Sequence, residues 1–408
     1  MNDLVDNIGI IALIIFLAQL PASLLFIWRL IKCPRQHPSI QTHPFTSDLV
    51  GSVSIVVPTL NEALRIGPLL EGLSKQGKEV REIIIVDSNS QDGTAKMVEA
   101  ARKKDARFRL IDDNDLPKNW VGRPWALHTG YLNSSNESEW ILGLDADTDP
   151  EPDLVASLVK TTENLGLDMV SVSPKFVLRH PGEFLLQPAL LMTLIYRFFP
   201  FNNTNDRSDK ILANGQCFLC RRSVLESIQG YIKASTSFCD DVTLARYIAS
   251  QGFKVGFLDG AKLLKVRMYE GALETWKEWG RSLDLKDASS TASLLKNIYQ
   301  LTAIQAVPIL VVLLSLFYTL HPLLIGLNLL LLTIRILMLF AIRPSYDLYK
   351  ESWAFLFWLS PIADPLAVIR IFISSIKVPK QWRGRKYNND LQEIKFSAEK
   401  GFFWKDNP

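Results

Sequence analysis

The stretch from Ile8 to Ile31, IGIIALIIFLAQLPASLLFIWRLI, constrains this chain more than any other. Such a run is long enough to cross the roughly 30 Å hydrocarbon core of a bilayer. Inside that core every backbone N–H and C=O must be satisfied within the segment, so the run has to be a helix. Pro21 is expected to kink it. No basic segment precedes it and no small-residue cleavage site follows, which fits a retained anchor rather than a cleaved signal. Asp3 and Asp6 lie before it, and Arg29, Lys32 and Arg35 lie at its end and just beyond. That bias places the following domain in the cytoplasm.

Apolar residues concentrate again in the last quarter. Two further spans are expected, Leu301–Leu320 and Leu323–Ile342, parted at His321 and Pro322. Arg335 falls inside the second, about two turns from its end, where snorkelling towards the interface is a better reading than an anion contact. Trp353–Ile376 is apolar but interrupted by Pro361, Asp364 and Pro365. The tail beyond it, Lys377–Pro408, holds eight Lys/Arg against four Asp/Glu, a balance that prefers the cytoplasm. Four full crossings would put that tail outside. A re-entrant or interfacial hairpin, its Pro-Ile-Ala-Asp-Pro turn buried in protein, resolves the conflict.

A formal charge of +3 over 408 residues gives no footprint for nucleic acid, and no feature specifies a protein partner. Four cysteines do not make a disulfide scaffold. Cys217 and Cys220 form a CxxC without a second pair at zinc-site spacing, and read as buried reduced thiols.

From Gly51 to about Gly260 the pattern is α/β. Val53–Pro58, Glu82–Asp87, Arg107–Ile111 and Trp140–Leu144 are short apolar runs suited to buried parallel strands. Helical stretches follow the first two, over Gly67–Ser74 and Thr94–Lys104. Repeated βα units imply a mostly parallel sheet, with ligands beyond the carboxyl ends of its strands. Thr59, Asn61, Glu62, Asp87, Asp145 and Asp147 all end or follow those strands, so the topology gathers them along one edge.

Asp145 and Asp147 stand at alternate positions after the fourth strand. They suit one hard cation, Mg²⁺ or Mn²⁺, that keeps its waters and bridges to substrate phosphates; the bland reading is a solvated acidic turn. Asp87 ends the second strand. It reads as a turn cap, or as the ribose acid of a dinucleotide fold, but the glycine-rich loop such a fold needs is missing after the first strand. Asp240 and Asp241 open a short helical pattern. One of them is expected to cap it, leaving the other free as a general base.

VSIVVPTLNE, EIIIVDSNSQDGT, LDADT and DDVTLARYIASQGFKV together resemble the ordered motifs of family-2 glycosyltransferases, over roughly Val53 to Arg281. That resemblance implies the GT-A (Rossmann-like) fold. It implies that Pro58, Thr59, Glu62 and Asp87 hold the nucleotide, that Asp145 touches the donor, that Asp147 ligates the metal and that Asp241 is the catalytic base. The acid before the base is Asp240 here, a small departure from the Glu-Asp pattern. Pro117–Arg123 resembles the Pro-x-x-Trp-x-Gly-Lys segment of membrane enzymes that glycosylate carotenoids or work in hopanoid pathways. Arg123 replaces the usual lysine, keeping positive charge near the diphosphate. Trp382–Tyr387 resembles the Trp-Arg-Gly-Arg-x-Tyr tail of ceramide glucosyltransferases; the alternative is a basic membrane-surface patch. Gly215 belongs to the segment where the family holds its acceptor. Trp276 and Trp279 are spaced to share one helical face, with Arg281 beyond them, as at a membrane interface. This stretch only loosely echoes the Gln-x-x-Arg-Trp motif of processive relatives, which argues for a single transfer.

The expected layout is an anchor over 1–35, a GT-A catalytic domain over 51–270, interfacial amphipathic helices over 271–300, membrane segments over 301–376 and a basic cytoplasmic tail over 377–408. The expected activity is inverting transfer of a sugar from a nucleotide-sugar donor, UDP- or GDP-linked, to the hydroxyl of a membrane lipid. A carotenoid is the preferred acceptor, with ceramide, hopanoid-linked and polyprenyl-phosphate acceptors as alternatives. From other classes, an inactive membrane scaffold of the same fold and a nicotinamide oxidoreductase are the rivals.

Overall fold

The structure, a computed structural model, describes residues 2–32, 39–113, 115–198, 211–279, 291–348, 351–376, 381–382 and 385–386, without the side chains of 2–8, 291 and the last four. The chain divides into two compact units.

One unit, within His37–Lys175 and Asn203–Val266, is built on a seven-stranded sheet. Its strands are β1 (Val53–Thr59), β2 (Val80–Asp87), β3 (Phe108–Asp112), β4 (Trp140–Leu144), β5 (Met169–Ser173), β6 (Cys217–Arg221) and β7 (Val255–Asp259). They lie in the order β3-β2-β1-β4-β6-β5-β7. All neighbours pair parallel except β6, which runs antiparallel to both β4 and β5. The sheet is thus mostly parallel, as expected, with one reversed strand inside it. Every residue of β1 is buried, as a mostly apolar strand covered on both faces requires, and its interior polar residue Ser54 bonds to Glu82 and Ser138, each at 2.8 Å. The helices Ile66–Ser74 and Leu154–Asn164 supply Leu69, Leu73, Leu154 and Leu158 to the core. The helix Gly122–Leu132 also packs on the sheet. It comes so close at Gly130 that a Cβ there would lie 2.2 Å from Val56 Cγ1.

The other unit, within Met1–Gln36, Phe176–Asn202 and Arg267–Val378, is helical. Four helical runs are long and apolar enough to cross a membrane: Gly9–Ile31, Ala292–Leu314, Pro322–Ser345 and Ala354–Ile376. The first lies in a helix, Asn2–Ile31, that continues through Pro21. The second begins at Ala292 rather than Leu301, so residues read as interfacial belong to the run. Two of its glutamines donate to neighbouring segments. Gln300 donates to the Tyr196 carbonyl (3.2 Å) and Gln305 to the Ala189 carbonyl (2.8 Å), both on the helix Pro181–Phe198. Gln19 and Asn328 bond to each other (2.8 and 3.0 Å), and Gln19 also reaches the Ala303 carbonyl (2.8 Å). Such bonds hold apolar helices together where water is absent.

Three expectations need correction here. Arg335 does not snorkel. Its side chain is 2% exposed and forms a two-pronged ion pair with Asp364, at 2.8 and 3.0 Å. The stretch Pro361–Pro365 is not a hairpin turn. The chain stays helical, passing from a 3₁₀ helix, Ala354–Ala363, into an α-helix, Asp364–Ile376. Pro365 falls in the first turn of that helix, where a missing N–H leaves nothing unsatisfied. Third, Trp276 and Trp279 do not share a face. They lie in a π-helical turn, Thr275–Trp279, whose wider winding separates positions three apart. Trp279 is buried against Phe176 and Tyr269, with ring centroids 6.1 Å away in each case, while Trp276 is half-buried under Arg370.

The segment before the Ala354–Ile376 run, and the last third of the run itself, are tied to segments that come before the second apolar run. Tyr346 and Asp347 pair with Phe176 and Val177. Arg370 donates to the carbonyls of Trp276 (2.6 Å) and Lys277 (3.1 Å). Arg281, and most of the basic tail with its Trp382–Tyr387 motif, lie outside the described residues; Gln381–Trp382 and Arg385–Lys386 form a short antiparallel pair.

Candidate active site

Parallel pairing brings the ends of β1, β2 and β3 into line, with Thr59 opposite Asp87 and Asp87 opposite Asp112. Asp87 is buried. It accepts from Thr59 Oγ1 (3.0 Å), Ser90 N (2.9 Å) and Ser90 Oγ (2.5 Å). The loops after β1 and β2 are stitched together by side chains. Asn61 Oδ1 accepts from Gln91 N (2.9 Å), Asp92 Oδ2 from Ala63 N (2.9 Å), and Thr94 Oγ1 from Glu62 N (2.9 Å). Asn61 and Asn89 take positive φ, 56° and 64°, which asparagine tolerates better than most residues. Pro58, Thr59, Glu62 and Asp87 thus share one preorganised edge, and Asp87 organises the loop as well as ending the strand.

β4 ends at Leu144 and the chain turns at once. Asp145 N donates to the Gln216 carbonyl (3.1 Å), and the Asp145 carbonyl accepts from Thr148 N (3.3 Å) and Oγ1 (2.8 Å). Asp145 and Asp147 are both half-buried on this turn. Among the described residues no three His, Cys, Asp or Glu side chains converge as an all-protein metal cage. Two hard carboxylates at a strand end fit a cation that completes its shell with water and phosphate oxygens.

The centre of the site is Arg123, in the first turn of the Gly122–Leu132 helix. Its Nε donates to Asp145 Oδ1 (2.9 Å), Nη1 to Asp240, and Nη2 to the Gly215 carbonyl (2.5 Å). The helix start is pinned on both sides. Val121 N donates to the Ser235 carbonyl (2.7 Å), and Trp125 Nε1 donates to the Asp113 carbonyl (2.6 Å). Trp120 stacks on His128, with centroids 5.0 Å apart.

Neither acid of the Asp240–Asp241 pair caps its helix from the N-cap position, which Cys239 occupies without a side-chain bond. Asp240 turns to Arg123 instead. Asp241 Oδ1 accepts from Val242 N (2.8 Å), and the nearby Gly215 N–H favours the ionised form of the Asp241 carboxylate. Burial raises the pKa of both acids, against the opposing pull of Arg123. A carboxylate raised in this way is better matched to proton abstraction near neutral pH than an ordinary one. Cys217, Cys220 and Cys239 are free and buried, and burial pushes the first two thiols upward, away from thiolate chemistry.

The site therefore unites Arg123, Asp145, Gly215, Asp240 and Asp241 from four separate stretches of chain. Trp276 and Trp279 belong to the helical unit. Sequence reasoning singled out the segment holding Trp120 but missed its neighbours Trp125 and His128; their aromatic spacing along one helix was the available signal.

Residues 54–229 match the family model described as "Glycosyl transferase family 2". That stretch of the chain is similar to family 2 glycosyltransferases. A 4,4'-diaponeurosporenoate glycosyltransferase of Staphylococcus haemolyticus (strain JCSC1435) is 26% identical over 241 residues, 59% of this chain and 63% of the relative. An undecaprenyl-phosphate 4-deoxy-4-formamido-L-arabinose transferase of Proteus mirabilis (strain HI4320) is 32% identical over 130 residues, 31% of this chain and 37% of the relative. The chain thus spans less than two thirds of the length of either. Among solved structures, a mannosyltransferase from Pyrobaculum calidifontis in complex with GDP-Man and Mn²⁺ superposes with a TM-score of 0.52 at 17% identity, covering 90% of this chain and 99% of that one. That likeness is one of fold, and the fold is GT-A.

Proposed function

We propose that this protein is an inverting family 2 glycosyltransferase that moves a sugar from a UDP- or GDP-sugar to the hydroxyl of a membrane lipid, a carotenoid first among candidates. The observation that carries the reading is the meeting of Asp145, Asp240 and Asp241 around Arg123, beyond the carboxyl end of β4. Donor and acceptor chemistry need their groups within reach of one another, and this cluster offers both. The apolar helical unit supports a lipid acceptor. So do relatives named for diaponeurosporenoate and undecaprenyl phosphate, both lipid-type molecules.

On this reading Asp241 accepts the acceptor's hydroxyl proton as that oxygen attacks the anomeric carbon. The bond from that carbon to the diphosphate breaks on the opposite face, the nucleoside diphosphate leaves, and the configuration inverts. Pro58, Thr59, Glu62 and Asp87 hold the nucleotide, and Asp145 orients the sugar. Mg²⁺ or Mn²⁺, held by Asp147 and the donor's phosphates, would neutralise charge growing on the leaving group.

The sheet unit faces the cytoplasm, by the Arg29, Lys32 and Arg35 bias. On this reading Ala354–Ile376 lies along the interface on that side rather than crossing; the pairing of Tyr346 with Phe176 and the bond from Arg370 to the Trp276 carbonyl support it, both partners preceding the second apolar run. Two experiments test the reading. Calorimetry should show UDP or GDP binding with Mn²⁺ and no NADH binding. Lipid and pigment profiling of a deletion strain should show an accumulated aglycone. NADH binding without nucleotide-diphosphate binding, together with an unchanged lipid profile, contradicts it.

A further inference from the structure

The resemblance to family 2 implies that Arg123 lies beside the donor's diphosphate. Its hydrogen bonds point elsewhere. Nε donates to Asp145, Nη1 to Asp240 and Nη2 to the Gly215 carbonyl. The same Gly215 peptide lies near enough to Asp241 that its N–H favours the ionised carboxylate. One guanidinium thus ties the turn after β4, the acid at the start of the Asp240–Ser250 helix, and the peptide near the neighbouring acid. Only a planar fork with several donors can do this; an ammonium is a point charge that serves such a set poorly. Gly215 leaves room for it, since a Cβ there would lie 2.7 Å from Arg123 Nη2 and 3.0 Å from Cζ.

Resting on the transferase reading above, we infer that Arg123 is a positioning residue: it clamps Asp145, Asp240 and Gly215 together, and so sets where Asp241 stands relative to the donor, without contacting the donor's diphosphate. Arg123 and Asp240 are also the two site positions where this chain departs from the motifs it resembles, lysine and glutamate standing there in the pattern. The structure brings the two departures into direct contact. Lysine is shorter than arginine and glutamate is longer than aspartate, so the exchange conserves combined reach. On this assignment each departure compensates for the other.

The test uses the full-length chain in detergent, with a double-mutant cycle on Arg123→Lys and Asp240→Glu. Both keep the local charge, so neither leaves a buried carboxylate without a cation. Gly215→Ala is the third variant, displacing the guanidinium while keeping it. UDP and GDP affinity with Mn²⁺ is read by calorimetry. Turnover is read as single-turnover transfer from radiolabelled UDP-glucose or GDP-mannose to a carotenoid-containing lipid extract. Each single variant should lose roughly 10- to 100-fold in turnover while nucleotide-diphosphate affinity stays within about threefold. The Arg123→Lys/Asp240→Glu double variant should recover to within about fivefold of the wild type, since residues in contact are not additive. Affinity losses that match the turnover losses would show that Arg123 touches the donor and overturn the assignment. Additive losses in the double variant overturn the compensation. A wild-type chain that neither binds nucleotide diphosphate nor transfers sugar sinks the transferase reading itself and this assignment with it; an active wild type with additive variants sinks this assignment alone.

Discussion

Arg335 and Asp364 face each other through two hydrogen bonds, Nε to Oδ2 at 2.8 Å and Nη2 to Oδ1 at 3.0 Å, inside the helical unit. Gln305 adds a third contact to the same carboxylate, at 3.1 Å. Each charge alone would be costly in an apolar run, and each neutralises the other.

Breaking that pair should therefore hurt more than replacing it. Arg335→Met or Asp364→Leu alone leaves one buried charge unpaired and should cost about 3–5 kcal/mol. The double variant Arg335→Met/Asp364→Leu should recover most of that loss. Thermal unfolding of the three variants in detergent checks this; single variants as stable as the wild type would show that the pair is not buried in the folded protein.

The tail after Lys377 should lie on the same side as the sheet unit. Maleimide labelling of intact cells carrying Lys395→Cys in a cysteine-free background should be weak until the cells are permeabilised. Strong labelling from outside would mean that Ala354–Ile376 crosses fully, against the pairing of Tyr346 and the bonds of Arg370.

Asp147→Asn should remove the Mn²⁺ dependence of UDP or GDP binding while the protein stays folded. Calorimetry with and without the metal measures it. Unchanged metal dependence would assign the ligand elsewhere.

The pH profile follows from the raised acids. The base must be deprotonated to act, and burial raises both Asp240 and Asp241 above the ordinary aspartate value of about 3.9. The acid limb of kcat/KM should therefore lie above that pH, with an apparent pKa that belongs to the pair. Arg123 pulls both acids down, so Arg123→Gln should move the limb to higher pH. A limb at or below pH 4, or one that Arg123→Gln leaves in place, would contradict the assignment.

The first four strands were legible because each is a short apolar run ending in a polar turn, and their boundaries shift by two residues at most. The strands β5, β6 and β7 were not. Cys217–Arg221 is a short segment that becomes a strand through its antiparallel partners β4 and β5, and that pairing is invisible in local sequence. The site's carboxylates were legible from where the strands end. The bridge from Arg123 to Asp145, Gly215 and Asp240 was not, since up to 117 positions separate its members. Trp276 and Trp279 misled because a spacing of three fits an α-helix, and nothing local announces a π turn. Arg335 and Asp364 could have been paired: two opposite charges in separate apolar runs are each other's best partners.

The most direct test of the account is Asp241→Asn, which keeps size and the bond from Val242 N while removing the base. The measurement is single-turnover transfer from a radiolabelled nucleotide sugar to an extracted lipid acceptor, with donor affinity taken in parallel. A positioned general base contributes about 10²–10⁴-fold. Turnover should therefore fall by about two orders of magnitude or more while donor and metal affinity stay nearly intact, and Asp240→Asn should do less. An inactive Asp240 variant beside an active Asp241 variant would move the base by one residue. Full activity in both would contradict the account at its centre.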